Sequence, residues 1–181
     1  MNNLFQAKSL PKPLGIAKLN FYIFSLVFSG LSVLIPFIFH QFNLGGAQFL
    51  PMHFFVLTAG FLFGWKTGLL VGIFSPLISF GFTHMPAFDI LPSVVVELAI
   101  YGLVMGVLRE KKVAVIPALI LAMIAGRVGR LIFAIPTGSV SITLGCFAES
   151  WPGIVLQIIL VPFLIIYIGK FFSGIKNEDQ I

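Results

Sequence analysis

Six long apolar runs occupy most of the sequence and contain very few charged residues. They cover roughly residues 19–39, 49–64, 67–83, 91–109, 113–135 and 152–172. A helix needs about 20 mostly apolar residues to cross the hydrocarbon core of a bilayer. Only 9% of all residues are charged, against roughly 25% in an average soluble domain, so the chain cannot cover itself with a polar surface. The sequence predicts an all-α membrane protein with six transmembrane helices, a single integral membrane domain spanning residues 1–181.

Glycines spaced by four connect the second, third and fourth runs. The second and third runs are separated by little more than GWKTG, residues 64–68, which leaves room only for a tight turn and predicts a helical hairpin. The glycines concerned are Gly60, Gly64, Gly68 and Gly72 in the hairpin and Gly102 and Gly106 in the fourth run. Small residues at this spacing let helix backbones approach closely, so we expect close internal packing here.

The basic residues predict the orientation in the membrane. Nine of the 11 lysines and arginines lie in the two tails or in the connections after the second and fourth runs: Lys8, Lys12, Lys18, Lys66, Arg109, Lys111, Lys112, Lys170 and Lys176. The other three connections, residues 40–48, 84–90 and 136–151, contain none. Positive residues remain on the cytoplasmic side, so we expect both termini in the cytoplasm. The first run has no small-residue cleavage pattern and is expected to be a retained helix.

A second group of charged residues lies inside the runs. Glu97 stands between Val94-Val95-Val96 and Leu98-Ala99-Ile100, about 9 Å below the predicted outer end of its helix. Arg127 and Arg130 are three residues apart and share a helix face, as do Glu97 and Tyr101, which are four apart. Charged side chains facing lipid are unfavourable, so these four residues are expected to line a pocket open to the outside.

Four further residues at the same predicted depth are candidates for this pocket. They are His53, His84, Trp151 and Gln157. Simpler interpretations stay open: Glu97 could pair with an arginine only to fix helix packing, a histidine at a helix end could be hydrated, and Trp151 could belong to the aromatic belt at the membrane interface. One carboxylate cannot neutralise two arginines, however, so the set favours an anionic ligand, such as one bearing a carboxylate.

Several function classes lack their usual residues in this sequence. There is no GxxxxGK[ST] phosphate loop, no HExxH and no Ser/His/Asp set at a common depth. The single cysteine excludes an internal disulfide, and we expect no metal and no cofactor. The basic residues lie between apolar runs, so they do not indicate nucleic-acid binding. A pocket without an energy source predicts a substrate-capturing subunit rather than an enzyme.

Four stretches together resemble a known family. They are PMHFFVLTAGFLFGWKTGLLVGIFSPLIS (51–79), MPAFDILPSVVVELAIYGLVMGVL (85–108), LILAMIAGRVGR (119–130) and WPGIVLQIILVPFL (151–164). In this order they are similar to the helices of S components, the substrate-binding membrane subunits of energy-coupling-factor (ECF) vitamin transporters. The resemblance implies a six-helix bundle in a bacterial cell membrane that binds one small vitamin or precursor near the outer face. It also implies a separate ECF transmembrane subunit and two ATPase subunits as partners.

The resemblance also suggests a docking surface and leaves the ligand open. Family members commonly carry Ala-x-x-x-Ala in the first helix where they meet the transmembrane partner, and this chain has Ser25 and Ser29 at the equivalent place. The two arginines favour pantothenate; folate, biotin, niacin and a modified-base precursor remain alternatives. Two other functions also stay open, a self-sufficient secondary transporter acting as an oligomer and, less favoured, a membrane-embedded enzyme.

Overall fold

Every regular element in the described part of the chain is a helix. The computed structural model describes residues 19–41 and 49–178, so Lys8, Lys12 and Lys18 lie outside the described residues. The helices are α1 Leu19–Gln41, α2 Pro51–Phe63, α3 Trp65–Thr83, α4 Leu91–Glu110, α5 Val115–Ala134, α6 Val140–Glu149 and α7 Trp151–Glu178. The predicted all-α class is confirmed.

Five of these helices, α1, α3, α4, α5 and α7, are long and apolar enough to cross a membrane. The other two are apolar but shorter, with 13 residues in α2 and 10 in α6. At 1.5 Å per residue, α2 rises about 20 Å, less than the roughly 30 Å of a hydrocarbon core. The count of six membrane-crossing helices therefore stays a prediction.

Helix α2 forms the centre of the bundle. Of its 13 residues, only Phe55 is not buried. The helix contacts α1, α3, α4 and α7, and the fully buried side chains of Leu57, Phe61 and Leu62 fill the space between them. A helix that is apolar all round has no side suited to water, which explains why this short helix is enclosed by longer ones.

Glycine allows α2, α3 and α4 to pack backbone to backbone. Gly64 alone separates α2 from α3 and has a φ of 96°, a conformation that favours glycine. A Cβ atom on Gly102 in α4 would overlap the backbone of Gly68 in α3, and one on Gly72 would overlap the carbonyl group of Leu98. The glycine pattern thus fixes where α4 lies against the hairpin, and so where Glu97 points.

The serines of α1 that were expected to form a docking surface, Ser25 and Ser29, face the inside of the bundle. Ser25 is 8% exposed and Ser29 4% exposed, and α1 packs against α2 and α3. The Ser25 hydroxyl donates to the Phe21 carbonyl oxygen over 2.8 Å. The exposed side of α1 instead carries residues such as Leu26 and Gly30. Small residues bring α1 close to its own bundle, and a role of this pair in docking a partner subunit stays a prediction.

The connection between the fifth and sixth apolar runs contains a helix that the sequence prediction did not include. Helix α6, Val140–Glu149, follows a turn after α5 and ends two residues before α7 begins, and it contacts both neighbours. It leaves most of its side chains exposed, with Thr143 buried. The last turn of α6 brings further polar residues to the end of the bundle where Glu97 lies.

Candidate ligand-binding site

A cavity of about 330 Å³ lies where α2 and α4 begin and α6 ends. Its wall takes residues from α1 to α6 and from the connection between α3 and α4. The lining residues are Pro36, Leu50, Pro51, Met52, His53, Ser79, Met85, Pro86, Ala87, Ile90, Val94, Glu97, Arg127, Arg130, Cys146, Glu149 and Ser150. Most of this wall is apolar, and it also includes five histidine, arginine and glutamate side chains from the helices, His53, Glu97, Arg127, Arg130 and Glu149.

Glu97 is the centre of the polar part. Its side chain is 1% exposed, and its Oε2 accepts a hydrogen bond from Arg130 Nη1 over 2.8 Å. Its Oε1 accepts a hydrogen bond from the Tyr101 hydroxyl over 3.1 Å and lies 4.0 Å from His53 Nε2. The rings of His53 and Tyr101 also meet edge to face, with centroids 5.4 Å apart. Three helices, α2, α4 and α5, therefore hold one buried carboxylate.

Local sequence spacing builds this arrangement. Glu97 and Tyr101 are four residues apart on α4, so their side chains lie on one face one turn apart. Gly126 on α5 faces the ring of Tyr101, and a Cβ atom there would overlap that ring. Arg130 follows Gly126 by four residues, so it reaches Glu97 from the same face of α5. The missing side chain at Gly126 thus lets α4 and α5 approach closely enough for the ion pair.

Arg127 is held differently from Arg130. Its Nη2 donates a hydrogen bond to Ser150 Oγ over 2.8 Å, and Ser150 Oγ donates to the Phe147 carbonyl oxygen over 3.2 Å. The guanidinium carbon of Arg127 lies 4.4 Å from the centroid of the Phe147 ring, and that of Arg130 lies 5.6 Å from it. These cation–π contacts attach the end of α6 to α5 and cover both arginines with one aromatic ring.

The structure brings together some of the predicted site residues and separates others. Glu97, Arg127, Arg130 and His53 line the cavity, and Tyr101 supports Glu97 from behind. The other three predicted residues, His84, Trp151 and Gln157, are not part of the cavity wall.

Each of those three residues lies in different surroundings. His84 ends α3 with an exposed side chain whose ring packs against Phe80, with centroids 5.9 Å apart. Trp151 is 65% exposed at the start of α7, which matches the alternative interpretation as an interface residue. Gln157 is fully buried in α7, and its amide has no hydrogen bond to any residue that the structure describes.

The sequence prediction missed four residues at the end of α6 and just after it. Cys146, Glu149 and Ser150 line the cavity, and Phe147 covers the arginines. Glu149 changes the charge count that was expected from the sequence. The wall holds two carboxylates and two arginines, whereas the sequence predicted one carboxylate and two arginines. Glu149 is exposed, whereas Glu97 is buried. A signal was available, since Glu149 and Ser150 directly precede the apolar run that enters from the same side.

No metal centre accompanies this site in the described residues. Within residues 19–41 and 49–178, no group of three or more His, Cys, Asp and Glu side chains is close enough to hold a metal ion. The cavity wall offers hydrogen bonding and charge pairing through its ionisable side chains and apolar contact through the others.

The fold and the cavity define a class, namely a multi-pass α-helical membrane protein with a ligand-sized cavity next to a buried ion pair. Residues 23–169 match the family model described as "ECF transporter, substrate-specific component". The chain belongs to this family, and the resemblance seen in the sequence is confirmed. Comparisons with curated proteins and with solved structures found no match. Members of this family are components of transporters and not enzymes. Membership implies a small-molecule substrate and ECF module partners.

Proposed function

We propose that this chain captures a small water-soluble vitamin or vitamin precursor from outside the cell and passes it to an ATP-driven ECF module. In this proposal the chain is one membrane domain of the bacterial cell membrane with both termini in the cytoplasm. Its partners are the ECF transmembrane subunit and two ATPase subunits. The observation that carries the proposal is the cavity whose wall includes the buried Glu97–Arg130 pair.

The size and the polarity of the cavity support ligand binding. Its volume of about 330 Å³ falls in the range of small-molecule sites, roughly 300–1,000 Å³. Ionisable residues inside membrane helices are unfavourable unless paired, and they commonly mark functional sites. A purely structural ion pair would explain Glu97 and Arg130, but it would give no reason for Arg127, His53 and an adjoining cavity.

The position of the cavity supports capture from the outside. Its wall includes the starts of α2 and α4, whereas Lys111 and Lys112 follow the opposite end of α4. Lys66, in the first turn of α3, also lies at that opposite end of the hairpin. If basic residues mark the cytoplasmic side, the cavity lies toward the outer face.

Reconstitution tests the subunit role. We expect the tagged chain, co-expressed with an ECF module, to co-purify with the transmembrane subunit and both ATPases. The small molecule extracted from the purified chain and identified by mass spectrometry then serves as the uptake substrate. Liposomes holding the whole complex should accumulate it only with ATP, and liposomes holding the chain alone should not. Equal uptake by the chain alone would favour the secondary transporter instead, and chemical conversion of the compound would favour an enzyme.

A further inference from the structure

The two arginines of the cavity wall have more hydrogen-bond donors than partners. Arg130 is 5% exposed and gives Nη1 to Glu97, but its Nε and Nη2 are buried with no hydrogen bond to the described part of the chain. Arg127 gives Nη2 to Ser150, and its Nε is likewise buried without a partner there. Three guanidinium nitrogens of these two cavity-lining residues are therefore unpaired among the residues that the structure describes.

Unpaired donors on a buried charge require an explanation. A guanidinium group stays protonated in proteins, and a buried charged donor without an acceptor is destabilising by more than a neutral one. Native proteins leave few such groups, and each calls for an explanation such as a functional role or a bound ion or water. In Arg130, the two unpaired nitrogens lie on the same edge of the planar group, the edge that can hold both oxygens of a carboxylate through parallel hydrogen bonds.

The pairing of the charged residues in the cavity wall points the same way. Glu97 neutralises one of the two arginines by direct contact with Arg130. Arg127 is half-buried, donates its Nη2 to the neutral Ser150 hydroxyl and lies over the Phe147 ring, and the remaining carboxylate of the wall, Glu149, is exposed. Arg127 thus has no carboxylate in direct contact among the described residues.

We propose that the ligand is a small monocarboxylic acid whose carboxylate binds the Nε–Nη2 edge of Arg130 beside Nε of Arg127. Glu97 is then a positioning residue that orients Arg130 and does not contact the ligand. The apolar wall, which includes Met52, Met85 and Val94, contacts the uncharged body of the acid. This inference rests on the proposed function, because it assumes that the cavity is the substrate site.

The single cysteine of the chain provides a local readout. Cys146 lines the same cavity, so alkylation of the purified full-length chain by N-ethylmaleimide reports occupancy at one position only. Two matched pairs serve as probes, nicotinate with nicotinamide and pantothenate with panthenol, each at about 10 mM, where even a site of millimolar affinity is mostly filled. We expect at least one acid to slow alkylation and raise the unfolding temperature, and its neutral counterpart to do neither.

Variants separate the shape of the Arg130 group from its charge. Arg130→Lys keeps the positive charge for Glu97 but loses the planar edge, so the acid should bind about tenfold or more weakly, a loss of at least one hydrogen bond to a charged group. Lys111→Gln removes an exposed positive charge beyond the far end of α4 and should leave binding unchanged. The unfolding temperature of Arg130→Lys without ligand shows whether the variant is folded.

Three results would overturn the inference: no effect of either acid on both readouts, equal effects of an acid and its neutral counterpart, or unchanged acid binding in a folded Arg130→Lys variant. These outcomes are distinct from failure of the proposed function, because the binding experiment needs no partner subunit. Module-dependent uptake of a neutral compound would leave the transport role intact and refute the acid. Arg130-dependent acid binding without module-dependent uptake would support the acid as ligand and refute the transport role.

Discussion

The burial of the Glu97 carboxylate is explained by its contacts with three side chains and not by its neighbours in the sequence. Arg130 neutralises its charge, Tyr101 donates to its other oxygen, and His53 lies 4.0 Å away. A buried ion pair adds little net stability by itself, but removing one partner leaves the other as an uncompensated charge. The pair therefore ties the stability of the α4–α5 contact to the geometry of the cavity wall.

The first prediction concerns this coupling. Glu97→Gln should destabilise the folded protein by about 3 kcal/mol, because Arg130 would remain charged and buried without its counter-charge. Arg130→Gln should have a similar effect, and the double variant should be clearly more stable than the sum of the two effects. Unfolding of the four proteins in detergent micelles gives the comparison. Strictly additive effects would show that the two side chains are not energetically coupled.

Two glycines of α5 offer a matched test of the support behind Glu97. A Cβ atom at Gly126 would overlap the ring of Tyr101, whereas one at Gly129 would meet only the flexible end of Ile100. Gly126→Ala should therefore destabilise the protein by about 1–3 kcal/mol through overpacking and should weaken ligand binding by displacing Tyr101. Gly129→Ala should be tolerated. Unfolding temperature and ligand binding measure both effects, and equal behaviour of the two variants would contradict the described packing of α4 on α5.

At the scale of elements, the sequence revealed which residues share a helix but not always which way a helix faces. The spacing of Glu97 with Tyr101 and of Arg127 with Arg130 correctly predicted shared faces, because a charge inside an apolar run can only point inward. Helix α1 has no such charge, and lipid-facing and core-facing residues are both apolar, so its pattern did not distinguish the two sides. Helix α6 was missed because its apolar stretch of 10 residues is too short to be predicted as a membrane helix.

The rotation of α1 can be tested with two neighbouring positions. Ser29 is buried against the bundle, while Gly30 is exposed, and a Cβ atom added to Gly30 would meet no atom of the described residues within 4 Å. Ser29→Trp should therefore lower the unfolding temperature and the yield of folded protein, since overpacking a close helix contact is destabilising. Gly30→Trp should fold normally. If Ser29→Trp were tolerated and Gly30→Trp were not, α1 would face the other way.

At the scale of the whole molecule, the short helix α2 lies at the centre of the bundle and glycines pack the α2–α3 hairpin against α4. The cavity lies at one end of this bundle. Helix α2 is enclosed by longer helices, so its start can carry His53 into the cavity wall without exposing it to lipid. In the proposed function the energy comes from other subunits of the transporter, and the sequence itself contains no GxxxxGK[ST] phosphate loop. The ligand could not be predicted from the sequence, because the cavity wall takes its side chains from six helices that meet only in the folded bundle.

The central claim is that this cavity holds one small molecule through its buried polar wall. Native mass spectrometry of the protein released from detergent tests it most directly. We predict one small-molecule adduct per chain on the wild-type protein. The adduct should be strongly reduced on Arg130→Ala, because losing a charge-assisted hydrogen bond lowers affinity by roughly ten- to a hundredfold, and it should be unchanged on Lys111→Gln. A wild-type protein that carries no adduct even after incubation with cell extract, or an adduct equally abundant on a folded Arg130→Ala variant, would contradict the account.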